Sequence, residues 1–202
     1  MTKKSIIPFF SILVLSACAV APTPNSNLIE ETTVDQIEVQ EVPINNALPR
    51  IIKKPFGIKV SPENSPVDPE IFSGYHTGTD FEIVPEEEDT EVSIYSICDG
   101  PTVLKRFVSG YGGVVVQECS IEDEEVTVIY GHLHLDSIST QVNKELSRGA
   151  KIGILGKGYS EETDGERKHL HLGIHKGNEV NLRGYVGSKD LLEQWINPED
   201  TL

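Results

Sequence analysis

Downstream of about residue 49 the chain is written in short apolar runs, many of them β-branched, separated by turn residues, and helical periodicity is scarce. That texture predicts strands at Val92–Ile97, Thr102–Val108, Gly113–Cys119, Val126–Tyr130, Lys151–Leu155 and His169–Lys176. Gly110-Tyr111-Gly112-Gly113 reads as the turn between two of them. Helix is expected in part of Leu135–Leu146 and at Ser188–Trp195. There is no internal repeat. The expected architecture is mainly β, a single domain of antiparallel sheet with few short helices over residues 49–202.

The upstream pattern differs. Ala19 to about Leu48 carries Pro22, Pro24 and Pro43, five acids between Glu30 and Glu41, and no aromatic residue. Such a stretch buries too little surface to offset its ordering entropy, so residues 18–48 read as a tether. Val34, Ile37, Val39 and Val42 leave a weak strand open. Before the tether come Lys3 and Lys4, an apolar run Ile6–Leu15 too short to span a bilayer as a helix, then Ser16, Ala17 and Cys18. This is the layout of a secretory signal peptide over residues 1–17. Leu15-Ser16-Ala17-Cys18 resembles a bacterial lipobox, which implies cleavage before Cys18 and lipid attachment to its sulfur. The alternative is an ordinary signal peptide with a chance cysteine.

Charge narrows the partners. Lys+Arg number 17 against 32 Asp+Glu, for a net −15 that becomes −17 if Lys3 and Lys4 leave with the leader. Such a surface repels phosphate backbones and anionic lipid alike, so no nucleic-acid partner is expected. Attachment to a membrane then has to come from acyl chains at Cys18. Three cysteines do not make a disulfide scaffold, and nothing points to an obligate oligomer.

The six histidines fall in three clusters: His76; His132 and His134; His169, His171 and His175. In a strand at His169–Lys176, Leu170, Leu172 and Ile174 share one face and the three histidines the other. Alone, such a row is equally a solvent-facing polar edge. His76-Thr77-Gly78-Thr79-Asp80 places an imidazole and a carboxylate four apart around a flexible glycine, ligand types that zinc takes. Tyr130-Gly131-His132-Leu133-His134 ends an apolar strand. Three protein ligands and an open position describe a catalytic rather than a structural zinc site, and two further histidines supply acid–base groups.

In order and spacing the set resembles the lysostaphin-type, or LytM-like, zinc endopeptidases. The likeness runs from about Pro55 to Gly177. It takes in Phe56-Gly57, His76-x-x-x-Asp80, Cys98-Asp99-Gly100, Gly110-Tyr111-Gly112-Gly113, Tyr130-Gly131-His132-Leu133, Gly149-x-x-x-Gly153-x-x-Gly156 and His169-Leu170-His171. It implies a LytM-like fold of the duplicated hybrid motif type with a groove over the sheet, one zinc ion, and cleavage of peptide bonds in bacterial peptidoglycan. By the same resemblance His76, Asp80 and His171 hold the metal, and His132 and His169 flank the water it activates. The place implied is extracytoplasmic, on a bacterial membrane facing the cell wall. The competing reading is a catalytically silent LytM-like module that activates a separate cell-wall amidase. All five positions are filled, which favours the enzyme.

The chain departs from the family pattern before His169, where Tyr159–Lys168 replaces a short glycine-rich stretch. Arg167 and Lys168 there are candidate contacts for a stem-peptide carboxylate, or else a solvated hinge. His134 and His175 fall where the family needs no histidine and are expected at the surface. Glu86–Asp89 reads as a solvated loop. Cys98 and Cys119 lie on neighbouring predicted strands in an oxidising compartment, which favours a disulfide over two buried thiols. The tether or the segment Ile58–Phe72 is a candidate cover for the groove, with Asn45, Asn46 and Asn64 as conceivable plugs.

Overall fold

A computed structural model describes residues 42–202. The signal peptide, Cys18 and most of the tether lie outside the described residues.

Within them the strands are β1 (Lys59–Val60), β2 (Gly74–His76), β3 (Gly78–Glu82), β4 (Ser93–Tyr95), β5 (Gly100–Val108), β6 (Gly112–Ile121), β7 (Glu124–Leu133), β8 (Glu145–Leu146), β9 (Lys151–Ile154), β10 (His169–Lys176), β11 (Tyr185–Val186) and β12 (Trp195–Ile196). The main sheet runs β12-β10-β7-β6-β5-β8, all antiparallel, and β3 pairs with the same edge of β10 as β12 does. β1-β2-β11 and β4-β9 form two smaller sheets. The protein is therefore mainly β and antiparallel. Helix is confined to single turns and one short α-helix, α1 (Lys189–Leu192), started by the Ser188 side chain accepting from Leu191 N–H.

Alternation along the central strands builds two apolar layers. Val126, Val128 and Tyr130 of β7, Val115 of β6, and Leu170, Leu172 and Ile174 of β10 enter the larger core with Phe81 and Ile94. Val114, Val116 and Ile129 face the other way and pack with Tyr111 and Trp195. Both faces of the central strands are thus covered. The second layer is short of apolar residues over the β3–β10–β7 end, and there the histidines emerge.

Three expectations need correction. The folded unit begins before residue 49: Pro43, Ile44 and Ala47 are buried, and Tyr95 N–H donates to the Pro43 carbonyl at 2.9 Å. One fully buried isoleucine anchors a segment whose average composition is that of a tether. The stretch Leu135–Leu146 holds only a 3-10 turn at Leu135–Ser137 before β8. And the Glu86–Asp89 loop is not merely solvated, because Glu87 takes both guanidinium nitrogens of buried Arg50 at 2.6 and 2.8 Å. Cys98 and Cys119 form a disulfide with Cα atoms 6.0 Å apart.

Candidate active site

Register places the site. Across the β3–β10 pair Asp80 sits opposite His171, and across β10–β7 His171 sits opposite Gly131. Directly opposed residues share a face, so the carboxylate and the imidazole meet without any loop having to carry them. β3 lies close beside β10: a side chain at Gly78 would come 2.3 Å from the Leu172 carbonyl and 2.7 Å from His171 Nε2. Gly78 is glycine because the ring occupies that space. His76 reaches the same point from β2, its own N–H donating to Ile58 O and its carbonyl accepting from Gly57 N–H, both at 2.9 Å.

His76 Nε2, Asp80 Oδ1 and His171 Nδ1 form a triangle with edges of 3.0, 3.1 and 3.3 Å. Tetrahedral ligands about 2.0–2.1 Å from one zinc ion sit about 3.3 Å apart, so the triangle fits that ion. All three residues are buried, and together they are a His–Asp–His group able to hold a metal. Each ligand is held from behind, the arrangement that fixes tautomer and aim. His76 Nδ1 lies 3.3 Å from the Pro55 carbonyl, so its hydrogen goes there and Nε2 is left free. His171 Nε2 lies 3.4 Å from the Tyr111 hydroxyl. Asp80 Oδ2 accepts from Arg167 Nη2 at 2.7 Å.

Two more histidines close over this group. His169 donates from Nδ1 to the Arg167 carbonyl at 2.8 Å, which leaves Nε2 as the acceptor, 3.3 Å from Asp80 Oδ2. The ring of His132 lies 4.2 Å from that of His169, centroid to centroid. His132 has φ 63°, a left-handed backbone rare for a non-glycine residue. It is held there by its N–H donating to Tyr111 O (3.1 Å) and its carbonyl accepting from Gly156 N–H (2.8 Å). Its Nδ1 is buried with no partner among the described residues. His132 thus combines a strained backbone with an unpartnered buried nitrogen, features that cluster at functional sites.

Electrostatics agree with this geometry. Burial would raise the Asp80 carboxyl, yet the imidazoles of His169, His76 and His171 packed against it hold it well below the usual carboxylate range. Burial lowers His132 well below the ordinary imidazole value, and His169 adds to the effect. Burial likewise pushes His171 down to about 4, against the opposing bond to Asp80. Neutral imidazoles and an ionised carboxylate are the forms that ligate metal.

The group opens into a cavity of about 320 Å³. His132, His169, His171 and Asp80 line it, with Tyr111, Phe72, Lys54, Glu166, Arg167 and Tyr185. Asn45, Asn46 and Asn64 do not. Of the segment Ile58–Phe72, only Phe72 reaches the wall, stacked on Tyr185 at 5.2 Å. Lys54 and Tyr185 carry no signal that the sequence displays. Glu82 carried one weak signal, its spacing of two from Asp80, which puts both carboxylates on one face of a strand.

Arg167 and Lys168 are not free to receive a substrate carboxylate. Arg167 is buried and gives its Nε and Nη2 to Glu82 (2.6–3.1 Å) and Asp80. Lys168 Nζ donates to the carbonyls of Glu87, Glu88 and Thr90 at 2.7–3.1 Å. His134 is half-buried and pairs with Glu162 at 2.9 Å. His175 is not at the surface: it is buried edge-on against Trp195, with ring centroids 4.8 Å apart.

The family model for peptidase family M23 matches residues 74–182, and the chain belongs to that family. No curated protein matches. Among solved structures the chain is similar to LytU, with 21% identity, 76% of this chain and 90% of that one covered, and a TM-score of 0.48. It is similar to cbpa from L. salivarius REN, with 19% identity, coverage of 73% and 82%, and a TM-score of 0.45. A zinc-containing peptidase from Vibrio cholerae matches at 21% identity, with coverage of 72% and 40% and a TM-score of 0.42. The protein is thus an M23-family chain with its His76–Asp80–His171 group intact.

Proposed function

We propose that the protein is a zinc-dependent endopeptidase that cleaves peptide bonds in bacterial cell-wall peptidoglycan. The observation that carries the reading is the triangle of His76 Nε2, Asp80 Oδ1 and His171 Nδ1, each held from behind, with two unligated histidines beside it. A zinc ion bound there polarises a carbonyl and acidifies water. His169 takes a proton at Nε2, because its Nδ1–H is committed to the Arg167 carbonyl. His132, kept neutral by burial, holds its unpartnered Nδ1 for the reacting carbonyl oxygen or the leaving amine. Arg167 keeps the second oxygen of Asp80 occupied, so that one oxygen serves the metal.

Residues 1–17 act as a leader, Cys18 carries the lipid, and the stretch after it tethers the enzyme to the membrane facing the wall. The folded domain extends upstream of the expected residue 49 to include Pro43 and Ile44. The test is digestion of purified peptidoglycan by the full chain, with metal analysis and mass spectrometry of the products. New amino and carboxyl termini at peptide crosslinks, with about one zinc per chain, support the reading. Bound zinc without any cleavage, together with stimulation of an added amidase, supports the silent module instead.

A further inference from the structure

Around the cavity the charges pair off, with one exception. The Arg167 guanidinium is divided between Asp80 and Glu82. The Lys54 ammonium contacts Glu70 at 2.5 Å and donates to the Tyr185 hydroxyl at 3.0 Å. Glu166 also lines the cavity, its side chain only 17% exposed, and among the described residues its carboxylate accepts no hydrogen bond. Among the described residues the one cationic atom within 4.0 Å is Arg167 Nη1, at 4.0 Å, too far for a hydrogen bond. Burial pushes this carboxyl up in spite of His169, Lys54 and Arg167, as expected of an anion without a direct partner.

The position is fixed. The Glu166 carbonyl accepts from Tyr159 N–H and from Thr163 Oγ1, both at 2.7 Å, and its N–H donates to Thr163 O at 3.1 Å. The loop that departs from the family pattern is therefore a built wall. Glu166 and Arg167 also border a second depression, floored by Val67, Pro69, Ile71 and Tyr159. A substrate chain leaving the catalytic cavity on that side passes the Glu166 carboxylate.

We propose that Glu166 is a specificity-determining residue that binds a primary ammonium group carried by the substrate peptide beside the scissile bond. A substrate carboxylate would meet repulsion there, since the nearby cations are already paired. A neutral amide would bring a hydrogen bond but no opposite charge to the carboxylate. A metal ion is disfavoured because Glu166 lies outside the donor triangle and brings no second ligand. The substrate class is thus a crosslinked peptide that retains a free side-chain amine on a residue flanking the cleaved bond.

The inference rests on the endopeptidase reading, and the test separates the two. The zinc-loaded full chain, wild type and Glu166→Gln, is given purified peptidoglycan before and after its free amines are acetylated. Calorimetry with soluble amine-bearing and acetylated peptidoglycan fragments runs in parallel. The wild type is expected to prefer the unmodified wall by about ten- to hundredfold in kcat/KM, mostly through KM. Glu166→Gln is expected to keep its melting temperature and to treat both walls alike. Equal rates for the wild type, or a preference that survives in Glu166→Gln, overturn the proposal. If the wild type cleaves neither wall, the endopeptidase reading fails, and the calorimetry still decides whether Glu166 selects the amine.

Discussion

Two polar clusters sit on the same sheet and have opposite characters. At one end, Gln117 is fully buried between β5 and β7. Its amide nitrogen lies 3.1, 3.0 and 2.8 Å from the carbonyls of Cys98, Gly100 and Leu146, and its oxygen is 2.7 Å from Ser96 Oγ. Tyr130 accepts from Ile97 N–H and reaches the same Gln117 oxygen at 3.4 Å. The Cys98–Cys119 disulfide closes this end. At the other end, His132 holds a buried nitrogen with no partner among the described residues on a left-handed backbone, and three ligand atoms lie within 3.3 Å of one another. The first cluster has met its hydrogen bonds within the chain and serves the fold. The second gathers ligand-type atoms and an unpaired buried nitrogen of His132 on one side of a cavity, the arrangement of a site that binds rather than one that only packs.

Damage to the two ends in turn should give opposite phenotypes. His171→Ala removes a ligand and is expected to lose both zinc, by metal analysis, and cleavage, by on the order of a thousandfold or more. His132→Asn is expected to keep zinc and to lose about 10²–10⁴-fold in kcat, the range of one acid–base group. Asparagine tolerates the left-handed backbone at φ 63°, so the loss reports the imidazole and not strain. Full zinc loss in His132→Asn would place that residue among the ligands. Undiminished turnover would remove it from the chemistry.

Gln117→Leu should do the reverse. It leaves buried carbonyls of Cys98, Gly100 and Leu146 without the donor they share. The expected loss is about 3 kcal/mol of unfolding free energy in urea. Zinc content and turnover of the folded fraction should stay at wild-type levels. An equal loss of turnover would show that the two ends are coupled, and the contrast between them would fail.

What the sequence could reveal depended on whether a signal was local. β10 was legible residue by residue, because Leu170, Leu172 and Ile174 alternate with His169, His171 and His175 and the run is long enough to count. β3 was not, since Gly78-Thr79-Asp80-Phe81-Glu82 has one large apolar side chain and becomes a strand only by pairing with β10. The His–Asp–His group was read from motif spacing, and the fold brings it together through cross-strand register. Arg167 and Lys168 misled because a sequence displays a charge but not its partner: Glu82, 85 positions away from Arg167, absorbs the guanidinium. The start of the domain was missed for a related reason. Pro43 and Ile44 sit in an acidic, proline-bearing stretch, and only the cavity they fill makes them core.

A smaller contrast lies within one strand. His175 follows His169 and His171 on β10, yet Trp195 seals it and Asn181 Nδ2 lies 3.1 Å from its Nε2. Burial pushes its imidazole below the ordinary value, although the Glu179 backbone and side chain oppose the shift. The folded protein then binds fewer protons at His175 than the unfolded chain once pH drops below the unfolded value of about 6.5. Stability from this residue is present above that pH and is lost on acidification. His175→Gln retains a group that can accept from Asn181 and has no charge to gain. Between pH 7.5 and 5.5, urea unfolding of the metal-free protein should therefore show a smaller loss for His175→Gln than for wild type. Equal losses would mean that His175 protonates as readily folded as unfolded. The barrier that separates it from the open histidines on the same strand face would then not exist.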